Sequence, residues 1–503
     1  MTADRLTVLD DAFLALENPD APLHVGWTIR VEGKAPSVGG LRRHLLSRMD
    51  RVPRFRRRLV STALAGGELR WEDDAGFDMG RHVFGVTVPA PGDDEAVRAL
   101  AGQLLSAPLP LDRPLWRLYL VNGVRDGFAV IGQAHHALVD GVAAIEVAAL
   151  LFDAEPSPRA DPPSQWRPER TGAARAAFSL TRSRIQLGMG RGAAIARAGR
   201  ETATRTRELV LSPSATPARR IEPPGQATRT VSAMTDVLRP ATPSSMCATA
   251  GPARTLGLEV LDLEETRRTA RENGATVNDV ILASVSHALG HALQRRDEMP
   301  VPLKAMMPVN VRTGSASELG NALSFVFVDL PSDRDDPLTA LREVTQSTNR
   351  VKTGDYAATL TGIVHLADLV PTMGRRIVSK IVATATPFNL TVSNVPGPDV
   401  PLYLLGRQVR AIFPAVPMWH GHGLTVGALS YNGRIHLCVY ADRGVIDDAE
   451  IIARDIRRAA EALATGANLS RGESPFQRSL PARDSTPWRR RARARRQPVE
   501  IPG

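Results

Sequence analysis

A proline- and arginine-rich stretch, roughly Glu155 to Pro252, interrupts an otherwise regular alternation of strand-like and helix-like segments. Pro156, Pro158, Pro162, Pro163 and Pro168 forbid regular structure at its start, because each ring fixes φ and removes a backbone donor. The chain therefore divides into two αβ halves. At 503 residues it is in any case too long for one ordinary core. The reading is an N-terminal unit over 1–153, a crossover linker over 154–252, a C-terminal unit over 253–470 and a disordered basic tail over 471–503.

Periodicity supplies the elements. Val25, Trp27, Ile29 and Val31 alternate with more polar residues, as a strand requires, and Leu41, Leu45, Leu46 and Met49 follow on a helix entered near Ser37. Val97, Leu100, Ala101, Leu104 and Leu105 mark a second helix, and strands are expected at 116–121 and 127–134. In the second half Asn278 is expected to cap a helix whose apolar face is Ile281, Val285, Ala288 and Ala292. Strands follow at 303–311 and 323–330, with helical patterns over 337–351 and 356–383. Asn432-Gly433 between two apolar runs signals a tight hairpin, and Asp447-Asp-Ala-Glu450 has capping-box spacing for a last helix. Mixed strands and helices in both halves imply two αβ layers facing one another.

The segment that carries chemistry is Gln133-Ala-His-His-Ala-Leu-Val-Asp-Gly141. It lies where the apolar run 127–134 leaves the core and an amphipathic pattern, 142–152, begins. A histidine at such a strand end sits on a rigid scaffold beside a cleft, and near its ordinary pKa it suits general-base work at neutral pH. A metal site is a poorer reading, since adjacent histidines in an extended segment point apart and no neighbouring ligand completes the set. The window 128–152 contains Gln133, both histidines, Asp140 and Glu146, which argues against a membrane span.

Composition narrows the setting. Cys247 and Cys438 are the only cysteines, so no disulfide framework is implied and a reducing compartment is expected. Neither a signal-peptide pattern nor a long apolar run is evident, so the expected location is cytoplasmic or peripheral to a membrane or lipid droplet. The net charge of +10 falls to +4 once the six arginines between Arg489 and Arg496 are set aside. Basicity is a tail property, and no nucleic-acid-binding face is indicated. The tail reads either as a contact to an anionic lipid surface or as a solubilising end. The helix-compatible 173–211 reads either as a basic amphipathic helix on lipid or as a crossover helix packed on the domains, with Gly188, Gly190 and Gly192 weakening it.

His135-His136-xxx-Asp140-Gly141 is the signature shared by coenzyme A-dependent acyltransferases and the condensation domains of nonribosomal peptide synthesis. Further segments make the chain resemble the bacterial wax ester synthase/acyl-CoA:diacylglycerol acyltransferase family. They are Leu9-Asp-Asp-Ala-Phe13, Pro22-Leu-His-Val-Gly26, Pro53-Arg-Phe-Arg-Arg-Arg-Leu59, Pro114-Leu-Trp116, Asn278-Asp-Val-Ile-Leu-Ala283, Gly320-Asn321 and Ser393-Asn-Val-Pro-Gly-Pro398. They run in the expected order from about residue 6 to residue 465. The resemblance implies two chloramphenicol acetyltransferase-like domains packed face to face around a catalytic tunnel. It implies long-chain acyl-CoA as co-substrate with no bound cofactor or metal, and diacylglycerol or a long-chain alcohol as acceptor. Two departures bear on the acceptor: Asn310 stands where a serine is common, and Cys247-Ala-Thr249 replaces an Asn-Gly-Pro run.

Acyl transfer from a thioester to an alcohol needs a base for the hydroxyl proton, donors for the oxyanion and exclusion of water. The resemblance assigns the base to His136. His135 is expected to make a supporting hydrogen bond, and Asp140 to pair with an arginine and cap the following helix. Gly141 allows a close turn. Asn278 and Asp279 are expected either to reach the tunnel opposite His136 or simply to cap their helix. Trp116 either lines the acyl channel or fills the core. No Gly-x-Ser-x-Gly elbow is present, so direct attack without an acyl-enzyme is expected. Three readings stay open at this point: esterification of diacylglycerol to triacylglycerol with long-chain alcohols as further acceptors, acylation of another lipid or secondary-metabolite hydroxyl, and a silent lipid-surface binding protein.

Overall fold

The computed structural model describes residues 6–62, 68–138, 150–157, 166, 239–310, 323–353 and 388–466. The expectations for Asp140, Gly141, Gly320-Asn321, the helical pattern 356–383, most of the linker and the basic tail lie outside these residues.

The first half opens with α1 (Val8–Leu16) and β1 (His24–Glu32), then α2 (Val38–Arg48), the hairpin of β2 (Arg57–Thr62) and β3 (Glu68–Asp73), and β4 (Val83–Thr87). It continues through α3 (Asp94–Leu105), β5 (Trp116–Asn122) and β6 (Gly127–His135). Ser37 caps α2 by accepting from the Gly40 amide, and Asp93 does the same for α3 through Ala96. Leu41 and Leu45 of α2 press on one face of the sheet, and Leu100, Leu104 and Leu105 of α3 on the other.

The second half contains β7 (Arg254–Asp262), α4 (Leu263–Glu272), α5 (Val277–Gln294), β8 (Leu303–Asn310), β9 (Leu323–Leu330) and α6 (Pro337–Thr353). It is completed by β10 (Leu390–Pro396), β11 (Tyr403–Leu404), β12 (Arg407–Ala415), β13 (Leu424–Tyr431), β14 (Arg434–Asp442) and α7 (Ala449–Thr465). Ile281, Val285, Ala288 and Ala292 of α5 are fully buried, as the 3.6-residue period anticipates. Asn432 and Gly433 turn β13 into β14 with φ of 47° and 74°, the left-handed values a tight hairpin of this kind requires.

Two helix starts differ from expectation. The cap of α5 is Thr276, not Asn278: the Thr276 hydroxyl accepts from Asp279 N while the Asp279 carboxylate accepts from Thr276 N. Asn278 therefore falls inside the first turn. At α7 the capping position is Asp448, which makes no side-chain capping bond. Its carboxylate is instead held by Arg295 at 3.1 Å and Arg296 at 2.7 Å, so two buttressing cations outcompete the helix amides.

The topology ties the halves together. One six-stranded sheet has the order β11-β12-β1-β6-β5-β4 and the other β7-β14-β13-β10-β8-β9. Two strands from late in the chain thus complete the first sheet, with Gly26 paired to Ala415 and Ile29 to Ile412. The sheets then meet at a shared core in which Leu104, Tyr119 and Phe413 pack with Leu256, Cys438 and Tyr440. The contact is tight at Gly427 of β13, where a Cβ would stand 2.5 Å from the Pro414 carbonyl oxygen of β12. Arg254, buried at the start of β7, donates to the Asp20 carbonyl at 2.6 Å and so fastens the second half to the loop after α1.

Candidate active site

β6 delivers the histidines. His135 is its last residue, paired in register with His24 at the start of β1, and His136 begins the turn beyond. The turn is pinned by three backbone bonds: His135 N to Leu115 O, His136 N to Leu23 O and Leu138 N to His135 O, each 2.9 Å. The change from strand to turn separates the two rings. The fully buried His135 faces His24, with ring centroids 5.7 Å apart and edge to face. The partly exposed His136 lies flat on Phe13, its centroid 4.0 Å away and its plane tilted by 21°.

α1 supplies what faces both rings. A Thr7–Asp10 capping box starts the helix, and the buried Asp10 carboxylate also accepts from Arg54 at 2.8 Å. Two of the sequence segments quoted above, Leu9–Phe13 and Pro53–Leu59, are thereby locked together. Phe13 stacks on His136, and Glu17 at the helix end sits between His24 Nε2 at 3.1 Å and His135 Nε2 at 3.4 Å. Burial pushes the Glu17 carboxyl up, but the contacts with His135 and His24 outweigh it and bring the pKa down to about 2. Burial depresses His24 against the pull of Glu17.

Burial also pushes His136 down to about 4, against the stabilising influence of its own backbone carbonyl. This corrects the expectation of a nearly ordinary pKa: the closeness of Phe13 and the loss of water around Nδ1 remove the solvation an imidazolium needs. The ring is neutral at physiological pH.

The second half contributes from above. The loop 416–423 between β12 and β13 carries Trp419, 5.8 Å from the Phe13 ring and 6.5 Å from Phe325 of β9. Asn18 just after α1 meets His420 Nδ1 at 3.0 Å, and Gly421 N donates to Thr249 Oγ1 at 2.7 Å. Thr249 belongs to the segment where the sequence departs from the resembled pattern, so that departure touches the loop that brings Trp419 to Phe13. Cys247 of the same segment packs on Asn389, whose amide reaches its sulfur at 3.2 Å.

The other anticipated residues are placed away from the rings. Trp116 is buried, donates Nε1–H to the Phe55 carbonyl at 2.8 Å and stacks on His82 at 4.6 Å, which makes it a core residue. Asp279 is buried and saturated: it accepts from Thr276 N and Thr276 Oγ1 on one oxygen and from Thr348 Oγ1 of α6 on the other. Asn278 directs its amide towards the Met307 sulfur of β8 at 3.9 Å. Among the described residues, neither makes a hydrogen bond to the His135–His136 turn. Sequence reasoning missed Glu17, and it treated Phe13, His24 and Trp419 as anonymous or as bare motif members. Glu17 had one available signal, its position four residues after Phe13 and on the same side of a short helix. No cluster of metal-ligating side chains and no helix long and apolar enough to cross a membrane occurs among the described residues.

Over 476 residues, 92% of this chain and 96% of the relative, the sequence is 29% identical to a probable diacylglycerol O-acyltransferase of Mycobacterium tuberculosis. It is 27% identical to the O-acyltransferase WSD of Acinetobacter baylyi, covering 87% of this chain and 92% of that one. The fold matches the wax ester synthase/diacylglycerol acyltransferase of Marinobacter aquaeolei, with a TM-score of 0.65, 20% identity and coverage of 93% and 100% of the two chains. It also matches the first condensation domain of the calcium-dependent antibiotic synthetase, with a TM-score of 0.57, 15% identity and coverage of 94% and 99%. Residues 6–281 match the wax ester synthase/diacylglycerol acyltransferase catalytic domain and residues 319–464 the WS/DGAT C-terminal domain, and the chain is therefore an acyltransferase of the WS/DGAT family.

Proposed function

We propose that this chain transfers a long-chain acyl group from coenzyme A to the free hydroxyl of diacylglycerol, with long-chain alcohols as a second class of acceptor and His136 as general base. The observation that carries the reading is the neutral, partly exposed His136 ring, clamped on Phe13 where the two halves meet. The acceptor O–H gives its proton to His136 as its oxygen bonds to the thioester carbonyl carbon, leaving a tetrahedral oxyanion and an imidazolium. Collapse breaks the C–S bond, and the departing thiolate takes the proton back from His136, so the products are ester and free coenzyme A. Burial disfavours the imidazolium, which hastens the second proton transfer.

Direct attack is further supported by the cysteines. Burial pushes the thiols of both Cys247 and Cys438 up, so neither is a ready thiolate nucleophile. Asp140 and Gly141 are proposed to shape the turn after His136, and an anionic membrane or droplet surface is proposed as the place where the acceptor is met.

The test is thiol release from long-chain acyl-CoA across diacylglycerol and a panel of alcohols, with wild-type protein and His136→Ala. Loss of the base costs about two to four decades in rate. Near-normal turnover by folded His136→Ala removes the assignment. Initial-rate lines that intersect fit direct attack, and parallel lines indicate a covalent intermediate.

A further inference from the structure

α1 clamps both histidines from one edge. Glu17 N donates to Phe13 O at 3.1 Å, so the two side chains project one helical turn apart, Phe13 onto His136 and Glu17 onto His135 and His24. The His135 ring is hydrogen-bonded at Nδ1 and has the Glu17 carboxylate 3.4 Å from Nε2. Its Nδ1 accepts the Ala137 amide at 2.9 Å, so the proton of the neutral ring lies on Nε2, and Nε2 faces the Glu17 carboxylate. The Ala137 amide is the next peptide group after His136. A flipped tautomer would set an N–H against that amide and push the turn apart. Glu17 thus acts on the one ring state compatible with the observed path of residues 135–138.

We propose that Glu17 is a positioning residue for the acyl transfer: by holding His135 and His24 from the end of α1, it fixes the turn that aims His136 at the acceptor hydroxyl. The carboxylate closes a loop of contacts through three elements, from the end of α1 to the first residue of β1 and the last residue of β6. The same helix seats the Phe13 ring on His136. Its effect is therefore on orientation of the base and not on affinity for the acyl-CoA.

This inference rests on His136 being the base, and the experiment separates the two. Thiol release per folded full-length protein is measured for wild type, His136→Ala, Glu17→Gln, Glu17→Asp, His135→Asn and the double variant Glu17→Gln/His135→Asn. Glu17→Asp keeps the charge but is one methylene too short, and it decides the matter should Glu17→Gln fold poorly. A misaimed base is expected to lower kcat roughly 10- to 100-fold while KM for acyl-CoA stays within about twofold. The loss in the double variant should not exceed that of His135→Asn alone by more than about twofold, because both changes break one device. Wild-type kcat in both Glu17 variants, or losses that multiply in the double variant, would overturn the positioning role while leaving His136 in place. Full activity in His136→Ala overturns the underlying reading as well.

Discussion

Asp279 offers a sharp test of whether a polar pair at a helix start serves chemistry or stability. Its carboxylate is 1% exposed and accepts three hydrogen bonds at 2.7–2.8 Å, two from the capping residue Thr276 and one from Thr348 on α6. In Asp279→Asn the amide can turn its oxygen to Thr276 and its NH2 to Thr348, so the bond count is kept. What is lost is the charge, near a helix N-terminus and in charge-assisted bonds, for a cost of about 1–2 kcal/mol. Asp279→Ala abolishes the capping box and leaves the Thr348 hydroxyl only its bond to the Thr345 carbonyl at 3.1 Å, for about 2–3 kcal/mol. Thr348→Val should cost about 1–2 kcal/mol, and its effect should shrink by about 1 kcal/mol in the Asp279→Ala background. Urea unfolding gives these values, and thiol release is measured well below each melting temperature. If Asp279→Asn melts like wild type yet transfers no acyl group, the structural account is wrong and the carboxylate belongs to the reaction.

Trp419→Ala opens the space between Phe13 and Phe325, and the kcat/KM ratio between a long-chain alcohol and diacylglycerol should move by roughly 3- to 10-fold or more; an unchanged ratio would place the acceptor elsewhere. Acid should act on stability before chemistry. Burial holds His82 and His436 down at about 4, so their contribution is full above pH 6.5 and is lost as pH falls towards 4, by up to about 3 kcal/mol each. Melting temperature against pH checks this, and His436→Phe should flatten part of the slope. On folded protein kcat/KM should hold from pH 8 to about 5 and drop only as His136 protonates near 4, and a midpoint near 6.5 would contradict the loss of solvation at this ring. Gly427→Ala forces a Cβ to 2.5 Å from the Pro414 carbonyl and should cost about 1–3 kcal/mol, read by thermal melting.

Much of the architecture was legible in local pattern because local pattern caused it. The period-3.6 stripe of α5, the Asn432-Gly433 turn and the Ser37 cap are decided within a dozen residues, and each stands where periodicity put it. Competition among several partners was not legible. Thr276 caps α5 because Asp279 returns its bond, and Asp448 abandons capping because Arg295 and Arg296 are folded onto it from the turn that ends α5. The same holds at the site. The histidine pair announced itself by spacing, but the depressed pKa of His136 comes from burial in the folded chain, under a Phe13 ring contributed from more than a hundred residues earlier. Glu17 carries no signature of its own, since only the pairing of β1 with β6 brings His24 beside His135 and gives the carboxylate two partners.

The strand order has a consequence for biosynthesis. When the ribosome has released the segment carrying the histidines, β1 is paired with β6 on one edge and bare on the other, because β12 has yet to be made. That edge displays unpaired amides and carbonyls and the inward-facing Ile29 and Val31, the kind of template on which another nascent chain can add a strand. The first sheet closes only when residues 407–415 arrive, so the two halves ought to fold as one late cooperative event. Cutting the gene within the proline-rich connection and expressing the pieces apart should yield an aggregating first piece, while co-expression should rescue it by strand exchange.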